Sequence, residues 1–143
     1  MANLTSANSI IMLSATGLFP VAQQMQGFSA EDIFEAEEID AAETVMGVDG
    51  KLSGGLIYVE KPWWIHLQAN SASNAFFDTL IQTQIASNDI IQLQGSVSLP
   101  GLGSKYALSN GILKRYPPMP AGHKLLQPRK FTIVWENIAP APV

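Results

Sequence analysis

The chain contains no cysteine, which excludes disulfides, thiolate metal sites and a cysteine nucleophile. Charge is scarce as well. Asp, Glu, Lys and Arg make up 14% of the residues, against about a quarter in typical soluble domains. So little charge suits a subunit that neighbours cover; a compact monomer coated with Ser, Asn and Gln is the competing reading. No stretch approaches the ~20 apolar residues of a membrane helix. Residues 10–13 are apolar but follow no Lys or Arg, so no targeting signal is expected and the product should be soluble and made in the cytoplasm. Histidine is limited to His66 and His123, and their spacing supports no metal site.

Positive charge is missing from the first fifty residues, which hold eight acids: Glu31, Asp32, Glu35, Glu37, Glu38, Asp40, Glu43 and Asp49. All eight bases and four further acids follow, for a net charge of −4. This asymmetry bears on association rather than fold. The bases are scattered without interleaved aromatics, so no nucleic-acid patch is evident. At 143 residues the chain fits a single domain with a sizeable core. The ends, at about residues 1–8 and 139–143, are expected to be loose.

The central stretch runs from residue 62 to 87. Trp63, Ile65, Leu67 and Ala69 alternate with Trp64, His66 and Gln68, the period of a strand with one buried face. Ser71 or Ser73 can then cap a helix, and Asp78 near its start suits the helix dipole. Phe76, Phe77, Leu80, Ile81 and Ile85 form the predicted core stripe, opposite Asp78, Thr79, Gln82, Thr83 and Ser87.

Around it the chain reads as β structure. Residues 9–14 form a predicted strand that is apolar on both faces, and Leu18, Phe19 and Val21 begin a second. In the acidic run, Ser29 and Asp32 can form a loose capping box for one helical turn. Asp49-Gly50 predicts a tight hairpin turn, and Gly54-Gly55 a bulge or a close backbone approach. Residues 90–99 alternate most clearly, with Gln92, Gln94, Ser96 and Ser98 on the polar face. A turn at 100–103 returns the chain, and Asn110-Gly111 marks a turn or bulge. Prolines force a loop through Pro128, and residues 129–138 form the last strand. About seven strands and one long helix predict a mainly β fold: an antiparallel sandwich or partly closed barrel with a flanking helix.

Chemistry is harder to find. The Gly-rich segment at 50–55 lacks the phosphate-loop pattern, since Lys51 precedes Leu52 rather than Ser or Thr. No Gly-x-Ser-x-Gly elbow occurs, and Gly101-Leu102-Gly103 lacks the rest of a dinucleotide fingerprint. No catalytic residue, metal ligand or cofactor site is predicted, and the chain reads as no enzyme. A monomeric or dimeric binding module with Trp64 and His66 as its patch is the alternative.

Residues 43–55 (ETVMGVDGKLSGG), the helix entry at 70–84, 95–100 (GSVSLP), 109–111 (SNG) and 131–135 (FTIVW), in this order and spacing, resemble the inner tail-tube proteins of contractile-tailed bacteriophages. That resemblance implies hexameric rings stacked into a tube, a virion tail component assembled in the host cytoplasm. It also implies a sheath outside, baseplate and tape-measure partners, and viral DNA passing through the lumen. The tube of a phage-like secretion or bacteriocin particle is the related possibility.

Candidate inter-subunit residues follow from charge and exposed apolarity. They are Ile10, Ile11, Met12 and Leu13 on the first strand, and the acids Glu31, Asp32, Glu35, Glu37, Glu38, Asp40 and Glu43. The candidate bases are Lys51, Lys114, Arg115, Arg129 and Lys130. Gln92, Gln94, Ser96 and Ser98 are candidate lumen-wall residues, because a wall without Lys or Arg does not grip phosphates.

Overall fold

The computed structural model describes residues 9–29 and 33–142. Nine strands and one helix follow one another: β1 (Ile10–Ala15), β2 (Phe19–Gln24), β3 (Phe34–Ala36), β4 (Ala42–Met46), β5 (Leu52–Leu56), β6 (Lys61–Leu67), α1 (Asn74–Ser87), β7 (Leu93–Leu99), β8 (Ser104–Arg115) and β9 (Arg129–Ala141). Seven strands make one antiparallel sheet in the order β2-β1-β7-β8-β9-β6-β3, while β4 and β5 form a separate ribbon. The sheet is not closed into a barrel. Phe34 and Trp63 at one end and Val97, Tyr106 and Leu108 nearer the middle line a single apolar cavity of about 190 Å³, so the sheet bends over itself. The predicted mainly β fold with one flanking helix is the fold observed.

Alternation selects the inner face. Ile11 faces Val97, which faces Tyr106, and Leu13 faces Gly95, which faces Leu108. On the other side Ile133 lies opposite Trp63 and Phe131 opposite Ile65. All of these except Tyr106 and Gly95 are buried. Gly111 is where β8 makes room: a Cβ there would lie 2.5 Å from the Trp135 ring. Beside it Asn110 takes a φ of 50° and the β7–β8 register slips between Leu93 and Gly95. Asn110-Gly111 is therefore a bulge inside one continuous strand, not a turn.

The helix covers the inner face through stacked rings. Phe77 lies 4.1 Å from Phe131 and Phe76 4.8 Å from Phe19, between centroids. Leu80 and Ile81 complete the buried stripe, but Ile85 is 65% exposed, because the last turn lies beyond the core. Ser73 stands at the N-cap position without bonding the helix's own amides. Its Oγ instead accepts from the Gln26 backbone N–H at 2.7 Å, tying helix to sheet. No acid occupies the first helical turn, and Asp78 serves an ion pair rather than the dipole. Asn88, left-handed at φ 56°, ends the helix with its N–H on the Gln84 carbonyl.

Three further expectations are corrected, and a fourth lies partly outside the described residues. Ile11 and Leu13 are 0% exposed and belong to the protomer's own core, because the strand they share has a buried face; they have no surface left for a neighbour. Ala139, Pro140 and Ala141 are not a loose tail but pair with Ala107, Tyr106 and Lys105 of β8. Proline is tolerated there because β6 pairs β9 only as far as Trp135, so that edge needs no donor. The β4–β5 register is regular through Gly54 and Gly55, with no bulge. A Cβ on Gly55 would meet nothing within 4 Å, so no close approach explains that glycine, whereas one on Gly54 would lie 3.4 Å from the Glu43 carbonyl oxygen, an ordinary contact. The Ser29–Asp32 capping box involves residues outside the described ones; Ser29 itself donates its backbone N–H to the His66 carbonyl.

Candidate assembly surfaces

The β4–β5 ribbon is the least covered part of the described chain. Asp49 Oδ1 accepts from the Lys51 amide at 3.1 Å and Gly50 has a φ of 83°, the turn chemistry that Asp-Gly supplies. Every residue of both strands is exposed, including the apolar Val45, Met46, Leu52 and Leu56. An isolated two-stranded ribbon is marginal in water. Four large apolar side chains on its strands are uncovered, which makes the ribbon a candidate contact surface.

The acidic candidates gather on the approach to this ribbon. Glu35 sits on β3 opposite Trp64, Glu37 donates its amide to the Pro62 carbonyl, and Glu38, Asp40 and Glu43 are exposed. Glu31 and Asp32 lie outside the described residues. Lys51 falls at the ribbon's own turn, beside Asp49, so it dilutes the acidic segment rather than opposing it.

The basic candidates divide. Lys114 and Arg115 are exposed at the end of β8, and Lys114 reaches Glu60 at 3.6 Å, a half-exposed pair worth about 0–1 kcal/mol. Lys130 lies 4.5 Å over the Trp64 ring. Arg129 is different. Its side chain is 4% exposed and forms a two-point contact with Asp78, with Nη2–Oδ1 at 2.9 Å and Nη1–Oδ2 at 3.2 Å. Nη2 also donates to the Pro117 carbonyl at 2.9 Å. The guanidinium fastens α1, β9 and the loop before it, so as a contact to a neighbouring subunit Arg129 is corrected: burial has committed it within the protomer.

The polar face proposed as a wall is only partly formed by its own strand. Gln92 precedes β7 and gives its carbonyl to the Thr16 amide. The Gln94 side chain is tied to Asn110 by two hydrogen bonds. Ser96 and Ser98 pair with Met12 and Ile10 on one side and with Ala107 and Lys105 on the other. Lys105 therefore shares this face, which a reading of β7 alone misses. Ile10 and Met12 remain on it as candidates for contact with a neighbour.

Sequence reasoning also missed the loop between β8 and β9, where Met119, Leu125 and Leu126 are exposed. Its prolines predict only a loop, and its apolar residues show no period. Among the described residues no group of three or more His, Asp or Glu is arranged to hold a metal ion. Among the described residues no helix is long and apolar enough to cross a membrane.

Comparison with curated protein sequences finds no significant match. Three solved assemblies contain chains of similar fold over essentially the whole length. A chain of the anti-feeding prophage baseplate matches with a TM-score of 0.60 at 8% identity, covering 100% of this chain and 98% of that one. A chain of the anti-feeding prophage cap that terminates the tube gives 0.59 at 10% identity, covering 100% and 93%. A chain of the sheath–tube complex of an extracellular contractile injection system in its extended state gives 0.58 at 11%, covering 99% and 93%. At these identities the likeness establishes the fold. A family model described as tail fiber protein gp32 matches residues 2–139, and the chain belongs to that family.

Proposed function

We propose that the chain is a structural subunit of a contractile tail, forming the stacked rings of its inner tube. The carrying observation is the exposed ribbon: with every residue of both strands uncovered and four of them large and apolar, on a domain whose β1, β6 and β9 each bury a face, it is built to be covered by another subunit. The similar chains come from a sheath–tube complex, a tube cap and a baseplate, which supports a place in or against such a tube. The role is structural and not catalytic. Sheath and baseplate proteins, a tape-measure protein and passing viral DNA are the partners this reading carries. A bore must let phosphates slide; Gln94, Ser96 and Ser98 suit that, while Lys105, opposite Ser98 on the same face, adds one base that a bore would have to tolerate.

A second reading is favoured by the cap and baseplate matches: a single ring at one end of the tube. Negative-stain microscopy of the purified protein separates the two. Hollow polymers of open length are expected; isolated closed rings support the terminal ring, and monomers at high concentration overturn both.

A further inference from the structure

We propose that the proline-rich loop between β8 and β9 is the seat for the β4–β5 ribbon of a second copy of this chain. The inference rests on the assembly reading above and names the surface that reading leaves open. The loop is stiff. Pro117, Pro118 and Pro120 restrict its backbone, and Arg129 holds the Pro117 carbonyl at one end. Its far part is pinned by the Gly122–Leu126 bridge and by Gln127, which donates its amide to the Ala121 carbonyl and its Nε2 to the Leu125 carbonyl, both at 3.0 Å.

Yet this fixed segment turns Leu125 and Leu126 to solvent, beside an open cleft of about 480 Å³ that they share with Pro128, Ala69 and Asn70. A preorganised apolar surface loses little entropy on binding, and no turn chemistry requires these leucines. The occupant is chosen by charge and shape. No Asp or Glu occurs between Asp89 and Glu136, so the loop and its approach carry only bases, Arg115 and Lys124 among them. The ribbon offers the complement, with exposed Val45, Met46 and Leu56 beside Glu43 and the acids that precede it. Ribbon and seat are different surfaces of one chain. Such a heterologous contact repeats from copy to copy and closes into rings or extends into stacks.

The chain has no native cysteine, so an introduced pair reports unambiguously. Met46→Cys protein and Leu125→Cys protein are mixed, assembled and mildly oxidised. A disulfide-linked dimer is expected from the mixture, at least tenfold above either variant alone and above Met46→Cys mixed with Val21→Cys on the exposed β2. Lys124→Glu should weaken assembly severalfold, and adding Glu43→Lys should restore it. Normal assemblies with cross-linking no better than the Val21 control overturn the seat and leave the assembly reading intact. A wild-type chain that never assembles removes both.

Discussion

β5 and β6 follow one another along the chain, yet β6 buries Trp63, Ile65 and Leu67 while every residue of β5 is exposed. Both are antiparallel, both are paired in regular register, and both carry apolar side chains. They differ in neighbours and in cover: β6 is paired on both sides, by β9 and β3, and has a buried face, whereas β5 has β4 alone and no covered face. A strand's contribution comes mainly from what packs against its face, so the seven-stranded sheet holds the protomer together and the ribbon contributes little to it. Apolar groups that do nothing for the protomer are free to serve an interface.

The largest effect should come from the sheet. Ile11→Asp places a carboxylate at a fully buried site, and a buried unpaired charge costs many kcal/mol against a domain stability of about 5–15 kcal/mol. The expected result is loss of near-UV circular dichroism and of the cooperative unfolding transition. A folded Ile11→Asp monomer would break the comparison by showing that β1 belongs to an interface.

Next comes the clasp between helix and sheet. Asp78→Ala leaves the buried Arg129 guanidinium with only the Pro117 carbonyl and should cost about 1–3 kcal/mol in urea unfolding, the range for a buried group left without a partner. Arg129→Met should cost less, because Asp78 is half-exposed at 53% and water can solvate it. Equal losses would mean that the pair acts as an ordinary surface contact.

The smallest effect belongs to the ribbon. Val45→Asp should change the unfolding free energy of the unassembled protomer by no more than about 0.5 kcal/mol, the usual range for surface sites. It should also lower assembly in a sedimentation assay. A destabilised protomer would show that the ribbon packs on its own domain.

The sheet was legible in the sequence wherever one face is buried, because alternation then records the face directly: Ile11 and Leu13, Trp63 to Leu67, Phe131 to Trp135. The Asp49-Gly50 turn was legible because its backbone demands those residues. Ile85 was not, since periodicity describes a helix but not where the surface beneath it stops. Nor was the use of Asp78 and Arg129, which meet only once the sheet has brought β9 against α1. The strand order placing β1 beside β7 leaves no local trace. For the assembly surfaces, charge located the acidic approach to the ribbon. The hydrophobic seat escaped because Leu125 and Leu126 belong to no repeating element.

The three tryptophans occupy two optical environments. Trp63 and Trp135 meet edge to face, 6.2 Å between centroids, inside the core, whereas Trp64 lies on the opposite face beneath the Lys130 ammonium. Intrinsic fluorescence from this chain therefore has an inner component shielded from soluble quenchers and an outer component that is half-buried and partly open to them. Unfolding changes both, while an event confined to the outer face changes the second alone. The molecule carries a built-in two-channel reporter, with no dye to attach.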